Sequence, residues 1–177
     1  MSIVTKRGDQ GKTALMYNRS VSKCHPRVEA YGAVDELTAA MGLARAAAAD
    51  DCVRRHLRSI QDDLVVLMGE LATAIDDLPR YVNDGYKLVT ADMTARLSGL
   101  VEEIEAAAVP AKGWALPGAN ASSAALDVAR TVCRRAERRV CSLQEADQLR
   151  NAEILVYLNR LSDLLWLLAR RSEAKAE

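Results

Sequence analysis

"ALDVARTVCRRAERRVCSL", residues 125–143, decides the fold. Leu126, Ala129, Cys133, Ala136, Val140 and Leu143 recur at alternating steps of three and four, which is the period of an α-helix with one apolar stripe. Arginines stand at 130, 134, 135, 138 and 139. At about 100° per residue, Arg130, Arg134 and Glu137 leave one flank of the stripe, and Arg138 continues the row. Arg130, Arg134 and Arg138 thus stack at i, i+4, where like charges repel by roughly 0.2–0.5 kcal/mol per pair. An ordinary solvated basic face accounts for such a row. So does an anionic partner that relieves the repulsion, either a polyphosphate gripped by two-pronged guanidinium groups or an acidic protein surface.

The same period extends outward in both directions. Val34, Leu37, Met41 and Ala44 form one stripe, and Val53, Leu57, Ile60, Leu64, Leu67, Leu71 and Ala74 form the clearest. Met93, Leu97, Leu100, Ile104 and Ala107 follow, with Thr90 as the expected N-cap. The last stripe is Ile154, Leu158, Leu161, Leu165 and Leu168. Breaks fall near Asp50, across "DDLPRYVNDGYKLVT" (76–90), at "VPAKGWALPGANAS" (109–122) and near Ala146. No alternating run argues for a sheet. Five helices with one apolar stripe each are satisfied by an all-α bundle in a single domain, residues 1–177, with an N-terminal arm (1–25) before a helical bundle (26–173).

Composition narrows the function classes. The chain has 24 Lys plus Arg against 24 Asp plus Glu, so bulk charge points to neither nucleic acid nor membrane. No apolar run reaches membrane-spanning length. Four cysteines (Cys24, Cys52, Cys133 and Cys141) make no C-x-x-C pair, and without a signal peptide a reduced cytoplasmic chain is expected. His25 and His56 are the only histidines. Neither sits in Glu-x-x-His, which excludes a ferritin-type di-iron bundle, and no Ser-His-Asp arrangement is defensible.

Two stretches remain. "VTKRGDQGKTALMYNR" (4–19) carries Gly8, Gly11, Lys12 and Thr13, but position 6 is Lys and no parallel-sheet pattern follows, so it is not a Walker loop. In "YLNRLSDLLWLLARR" (157–171), Asn159, Asp163, Trp166 and Arg170 lie opposite the leucine stripe. A tryptophan on such a wet face calls for a cover, whether a loop, a ligand or another chain. Trp114, near the Pro117–Gly118 turn, reads as a loop anchor. Asp35 and Glu36 form an acid pair or counter the arginines; the second explains more.

Four motifs in order, "TKRGDQGKT", "RVEAYGAVDEL", "LPGANASSAALDVARTVCRRAERR" and "YLNRLSDLLWLLAR", resemble the propanediol-utilisation (PduO) type of ATP:cob(I)alamin adenosyltransferase from Thr5 to Arg170. The resemblance implies a five-helix bundle that forms a homotrimer with active sites between subunits. It also implies transfer of the 5′-deoxyadenosyl group of ATP to cob(I)alamin, giving adenosylcobalamin and triphosphate with Mg²⁺ assisting. By motif, Thr5, Lys6, Gly8, Asp9, Gly11 and Thr13 would wrap the triphosphate, and Lys23 would also meet ATP. Arg134, Arg135, Glu137 and Arg138 match the helical ATP site, and Asn159 a further ATP contact. Arg130 would pair with Asp35 of a neighbouring subunit, while Arg160 and Asp163 would lie beside the reaction centre. Trp114 and Trp166 would take the place of the family's aromatics near the corrin, where they favour a four-coordinate cob(II)alamin that a reductase converts to Co(I).

The family pattern is departed from at Thr38, where Asn is usual, and at Arg171 and Glu173, which replace a Tyr and an Asn. These departures keep open a catalytically idle trimeric relative that binds ATP or delivers cobalamin; for the active enzyme, the resemblance implies a B12-dependent enzyme as recipient of the product. A helical module docking an acidic protein leaves the glycine-bearing arm unexplained.

Overall fold

The computed structural model of the chain describes residues 4, 6, 8–107 and 115–174. Among the described residues there are six α-helices: α1 (Pro26–Ala47), α2 (Asp51–Leu71), α3 (Leu78–Asn83), α4 (Ala91–Ala106), α5 (Ala121–Glu145) and α6 (Glu153–Ala174). Five are long, and the sixth, α3, is a six-residue helix inside the stretch 76–90 that the sequence suggested was a break. Pro79 and Gly85 hide it from a periodicity reading. Tyr81 holds it in place, buried against α2 at Gly69, where a Cβ would lie 2.3 Å from the Tyr81 hydroxyl.

The arm also departs from the all-α expectation. Lys12–Ala14 (β1) and Ser20–Ser22 (β2) pair antiparallel, with Lys12 opposite Ser22, Thr13 opposite Val21 and Ala14 opposite Ser20. Strands of three residues are too short to show an alternating pattern. The hairpin turns at Tyr17 and Asn18, whose φ angles are 61° and 59°.

Three of the long helices begin with side-chain caps supplied by the residue just before them. Pro26 occupies the first turn of α1, and His25 Nδ1 accepts the Arg27 N–H at 3.1 Å. Asp50 Oδ1 accepts the Cys52 N–H at 2.8 Å at the start of α2. Asn120 and Ser123 form a reciprocal capping box on α5, with the Ser123 N–H 2.8 Å from Asn120 Oδ1. Thr90 does precede α4, but its hydroxyl makes no capping bond.

The core is the union of the stripes. Val34, Leu37, Met41, Leu57, Leu64, Leu126, Cys133, Val140, Leu158 and Leu165 are all fully buried. α5 is central, packed on both α1 and α6, while α2 flanks α1 and α4 flanks α6. Side chains bridge the outer helices. Arg96 of α4 donates to Asp63 of α2, which also accepts the buried Tyr157 hydroxyl of α6 at 2.9 Å.

One end of the bundle is drawn together by Arg27. Its guanidinium is buried, donates to the Leu71 carbonyl at 3.1 Å, and donates to the Gln148 carbonyl beyond α5. A cation at two helix C-termini satisfies carbonyls that lack intrahelical partners and meets the negative ends of both dipoles. Burial lowers the Arg27 pKa from its ordinary value, yet an arginine stays charged at neutral pH. Replacing it strands two acceptors, so Arg27→Met is expected to lower unfolding free energy by about 2–4 kcal/mol, read from the midpoint of a urea titration followed by circular dichroism.

Candidate functional site

The arginine row of α5 does not stand naked. Arg130 Nε lies 3.2 Å from Asp127 Oδ1, Arg134 Nη1 lies 2.7 Å from Glu137 Oε2, Arg135 donates to Glu36 of α1, and Arg139 lies 3.7 Å from Glu29. Much of the i, i+4 repulsion is therefore offset by carboxylates of the same chain. Glu36 counters an arginine, whereas Asp35 is exposed. The guanidinium of Arg138 is exposed and makes no ion pair with any described residue.

Arg134 is the hub. Besides Glu137, its Nη1 donates to Asn159 Oδ1 of α6 at 3.1 Å, so three residues singled out from two separate motifs meet in one hydrogen-bonded cluster. The packing of α5 on α6 aligns them, because Cys133, next to Arg134, sits fully buried with its thiol 3.3 Å from the Leu158 carbonyl, next to Asn159. Glu137 and Asn159 hold the Arg134 fork in place while leaving the side chain 47% exposed. Such an arrangement presents charge without the entropy cost of ordering a free side chain.

The arm is fastened where α2 ends and at α3. Leu15 is buried, the Met16 N–H donates to the Ala72 carbonyl at 2.9 Å, and Arg19 pairs with Asp77. The Tyr17 hydroxyl donates to Asp84 at 2.9 Å, with the Arg80 guanidinium 4.1 Å from the Tyr17 ring centre. Gly8–Gln10 form a turn, Gly11 has φ 71°, and the Lys23 N–H donates to the Gly11 carbonyl at 2.9 Å. Lys23 folds over this turn so closely that a Cβ on Gly8 would lie 2.9 Å from its Nζ. Gly8, Gly11 and Lys23 are thus brought together, with the exposed Lys6, Asp9 and half-buried Thr13 beside them. Thr5 lies outside the described residues.

Further along α6, Arg160 Nη1 is 3.5 Å from Asp163 Oδ2. Trp166 is half-buried and rests on the core. From Asn159 to Trp166 is two helical turns, about 10 Å of rise. Arg170 does not belong to the wet face. It is buried, ion-paired with Asp127 and Glu173, because the N-terminal half of α5 closes over it. Asp127 was missed by sequence reasoning, since a carboxylate one position after a stripe leucine looks solvent-facing until the helix pair is assembled. Trp114 lies outside the described residues.

The two departures at the end of α6 have partners inside the chain: Arg171 lies 3.9 Å from Asp50, and Glu173 3.1 Å from Arg170. Thr38 is absorbed locally, its hydroxyl donating to the Val34 carbonyl at 3.0 Å.

An arginine cluster held by Glu137 and Asn159, and separately a glycine-bearing turn under Lys23, give this helical scaffold two groups of donors of the kind that suit phosphate-like anions. Residues 3–172 match the family described as cobalamin adenosyltransferase, and the chain belongs to that family. It is 38% identical over 176 residues to the corrinoid adenosyltransferase PduO of Salmonella typhimurium, covering 99% of this chain and 51% of that protein. The chain therefore spans about half the length of that relative and of the Citrobacter freundii PduO. The corrinoid adenosyltransferase of Bacillus subtilis is 35% identical over 99% of this chain and 89% of its own length. Among solved structures, a variant of the PduO-type ATP:corrinoid adenosyltransferase from Lactobacillus reuteri, complexed with cobalamin and ATP, superposes with a TM-score of 0.88. It is 34% identical, covering 98% of this chain and 94% of that one.

The α5–α6 seam has a direct chemical readout. Burial pushes the Cys133 thiol far above the ordinary cysteine range, whereas Cys24 is exposed. Brief alkylation of the native protein is expected to mark Cys24 and leave Cys133 unmarked until denaturant is added, as read by peptide mass spectrometry. Equal marking of both would contradict the packing that aligns Arg134 with Asn159.

Proposed function

We propose that the protein transfers the 5′-deoxyadenosyl group of ATP to cob(I)alamin, releasing triphosphate. The observation that carries this reading is the Arg134–Glu137–Asn159 cluster on the seam between α5 and α6, and the Gly8–Lys23 turn of the arm supplies a second group of donors. Family membership and the named ligands of the Lactobacillus relative support it.

The roles follow from charge. Triphosphate departs carrying the electron pair of the broken C5′–O bond, and the cobalt–carbon bond forms on the opposite side. The nucleophile is the corrinoid itself, so the protein's task is orientation and neutralisation of the leaving group. Lys6, Lys23 and the backbone N–H groups of Gly8, Asp9 and Gly11 would hold the triphosphate with Thr5 and Thr13, and Arg134, Arg135 and Arg138 would meet the charge that builds on it. Arg138, with no counter-ion among the described residues, is the group most free to pair with phosphate. Mg²⁺ fits as an ion carried largely by phosphate oxygens and water, with Glu137 as the nearby carboxylate.

Asn159, Arg160 and Asp163 would face the reacting carbon, with Trp166 and Trp114 at the corrin. Assembly as a homotrimer would bring Asp35 of a neighbouring copy to Arg130, whose Nη groups are not used by Asp127. The chain is read as one domain, an arm over residues 1–25 and a helical bundle over 26–173, working in the cytoplasm with a reductase that supplies Co(I). No described helix is long and apolar enough to cross a membrane.

Arg134→Ala is expected to lower the rate of cobalt–carbon bond formation from ATP and chemically reduced cobalamin by about 100-fold or more while leaving the helical circular dichroism unchanged. Normal turnover by that variant would overturn the role of α5. Trp166→Ala should slow turnover from Co(II) with a reductant by about tenfold but turnover from pre-reduced Co(I) much less, and the optical signature of four-coordinate Co(II) in the presence of ATP should fade. Equal losses in the two assays would remove Trp166 from the corrin side.

A further inference from the structure

A buried ionic cluster joins α5 and α6. The side chains of Asp127 and Arg170 are 4% and 3% exposed. Asp127 divides its two oxygens: Oδ1 accepts from Arg130 Nε at 3.2 Å and Oδ2 accepts from Arg170 Nη2. Glu173 Oε1 stands 3.1 Å from the same Arg170 nitrogen. Arg170 Nε, buried as well, has no hydrogen-bond partner among the described residues, and both ion pairs of the guanidinium with those residues are made at Nη2. Apolar side chains of equal volume would pack this space at no greater cost than a desolvated ion pair. The cluster therefore invites a reason beyond stability.

The reason lies four residues back along α6. The Arg170 guanidinium carbon is 5.8 Å from the centre of the Trp166 ring, within the range of a cation–π contact. The indole is thus backed by the apolar core and by a planar cation that a buried carboxylate holds still. What remains exposed of Trp166 is the surface available to a ligand.

We propose that Asp127 is a positioning residue for Trp166, acting through Arg170, and that it fixes the indole in the orientation the corrinoid ring meets. The inference rests on the functional reading above but assigns a role that no site motif contains. It also explains why Glu173 at the helix end is compatible with activity: that carboxylate completes the neutralisation of Arg170, two acids facing the two arginines of the cluster.

Asp127→Asn tests it, because an amide must turn its NH₂ toward one of the two arginines and so loses one acceptor. In a Trp114→Phe background, used for fluorescence only, Trp166 emission is expected to move to longer wavelength as the ring loosens. In the otherwise unaltered chain, turnover from Co(II) should fall about tenfold and turnover from pre-reduced Co(I) less than about threefold, with the four-coordinate Co(II) spectrum diminished. Should Asp127→Asn not fold, Arg170→Lys keeps a cation for Asp127 while removing the planar group from the indole, and the same shifts are expected.

Unchanged emission in a folded variant, or equal losses from Co(II) and Co(I), overturns the proposal. If the unaltered protein forms no cobalt–carbon bond even from Co(I), the functional reading fails on its own, and the emission of Trp166 still decides whether Asp127 positions it.

Discussion

The buried Arg27 guanidinium sets the geometry of one end of the bundle. It collects the carbonyl of Leu71 at the end of α2 and that of Gln148 just past α5, while itself sitting in the first turn of α1. Helix C-termini repel one another through their partial negative charge, and a shared cation turns that liability into a junction. The hairpin of the arm leaves directly from His25, two residues before Arg27, and is stitched to residue 72 just beyond the α2 terminus. The glycine turn and the last arginines of α5 thus share one end of the bundle because one cation ties three chain segments there.

Electrostatic organisation follows the same economy. The chain is neutral as a whole, yet α5 alone carries five arginines between positions 130 and 139. Four of them are balanced by Asp127, Glu137, Glu36 and Glu29, drawn from α5 itself and from α1. Balancing is not cancellation: each carboxylate offsets the charge of one guanidinium, and Arg138 has no ion pair among the described residues. A frame of this kind has its reorganisation cost met at folding, which is the condition for strong stabilisation of a leaving anion. Along α6, Asn159 is joined to the arginine cluster, and Trp166, two turns further on, is braced by Arg170.

Much of this was legible in one dimension. The three-and-four spacing of Leu126, Ala129, Cys133, Ala136, Val140 and Leu143 names a buried face, and every one of these residues is fully buried. The breaks at Asp50 and Ala146 are also real, Asp50 as the cap of α2 and Ala146 as the residue after α5. Less legible were features too short to show a period. The three-residue strands of the hairpin and the six-residue helix α3 owe their conformation to what they dock against, Tyr81 to Gly69 and Met16 to Ala72, not to their own pattern.

The sequence by itself determined the helical stripes, the arginine row, the glycine-bearing arm and the family motifs, because period and residue type are local properties of the chain. Only the tertiary structure decided which charges face water and which face each other. Arg170 and Asp127 carry the same residue types as their solvated neighbours, and they became a buried pair because α5 and α6 close over both at once. Partnership of that kind depends on the register between two helices, a quantity written in neither helix alone, since it is set where Cys133 meets the Leu158 carbonyl across the seam.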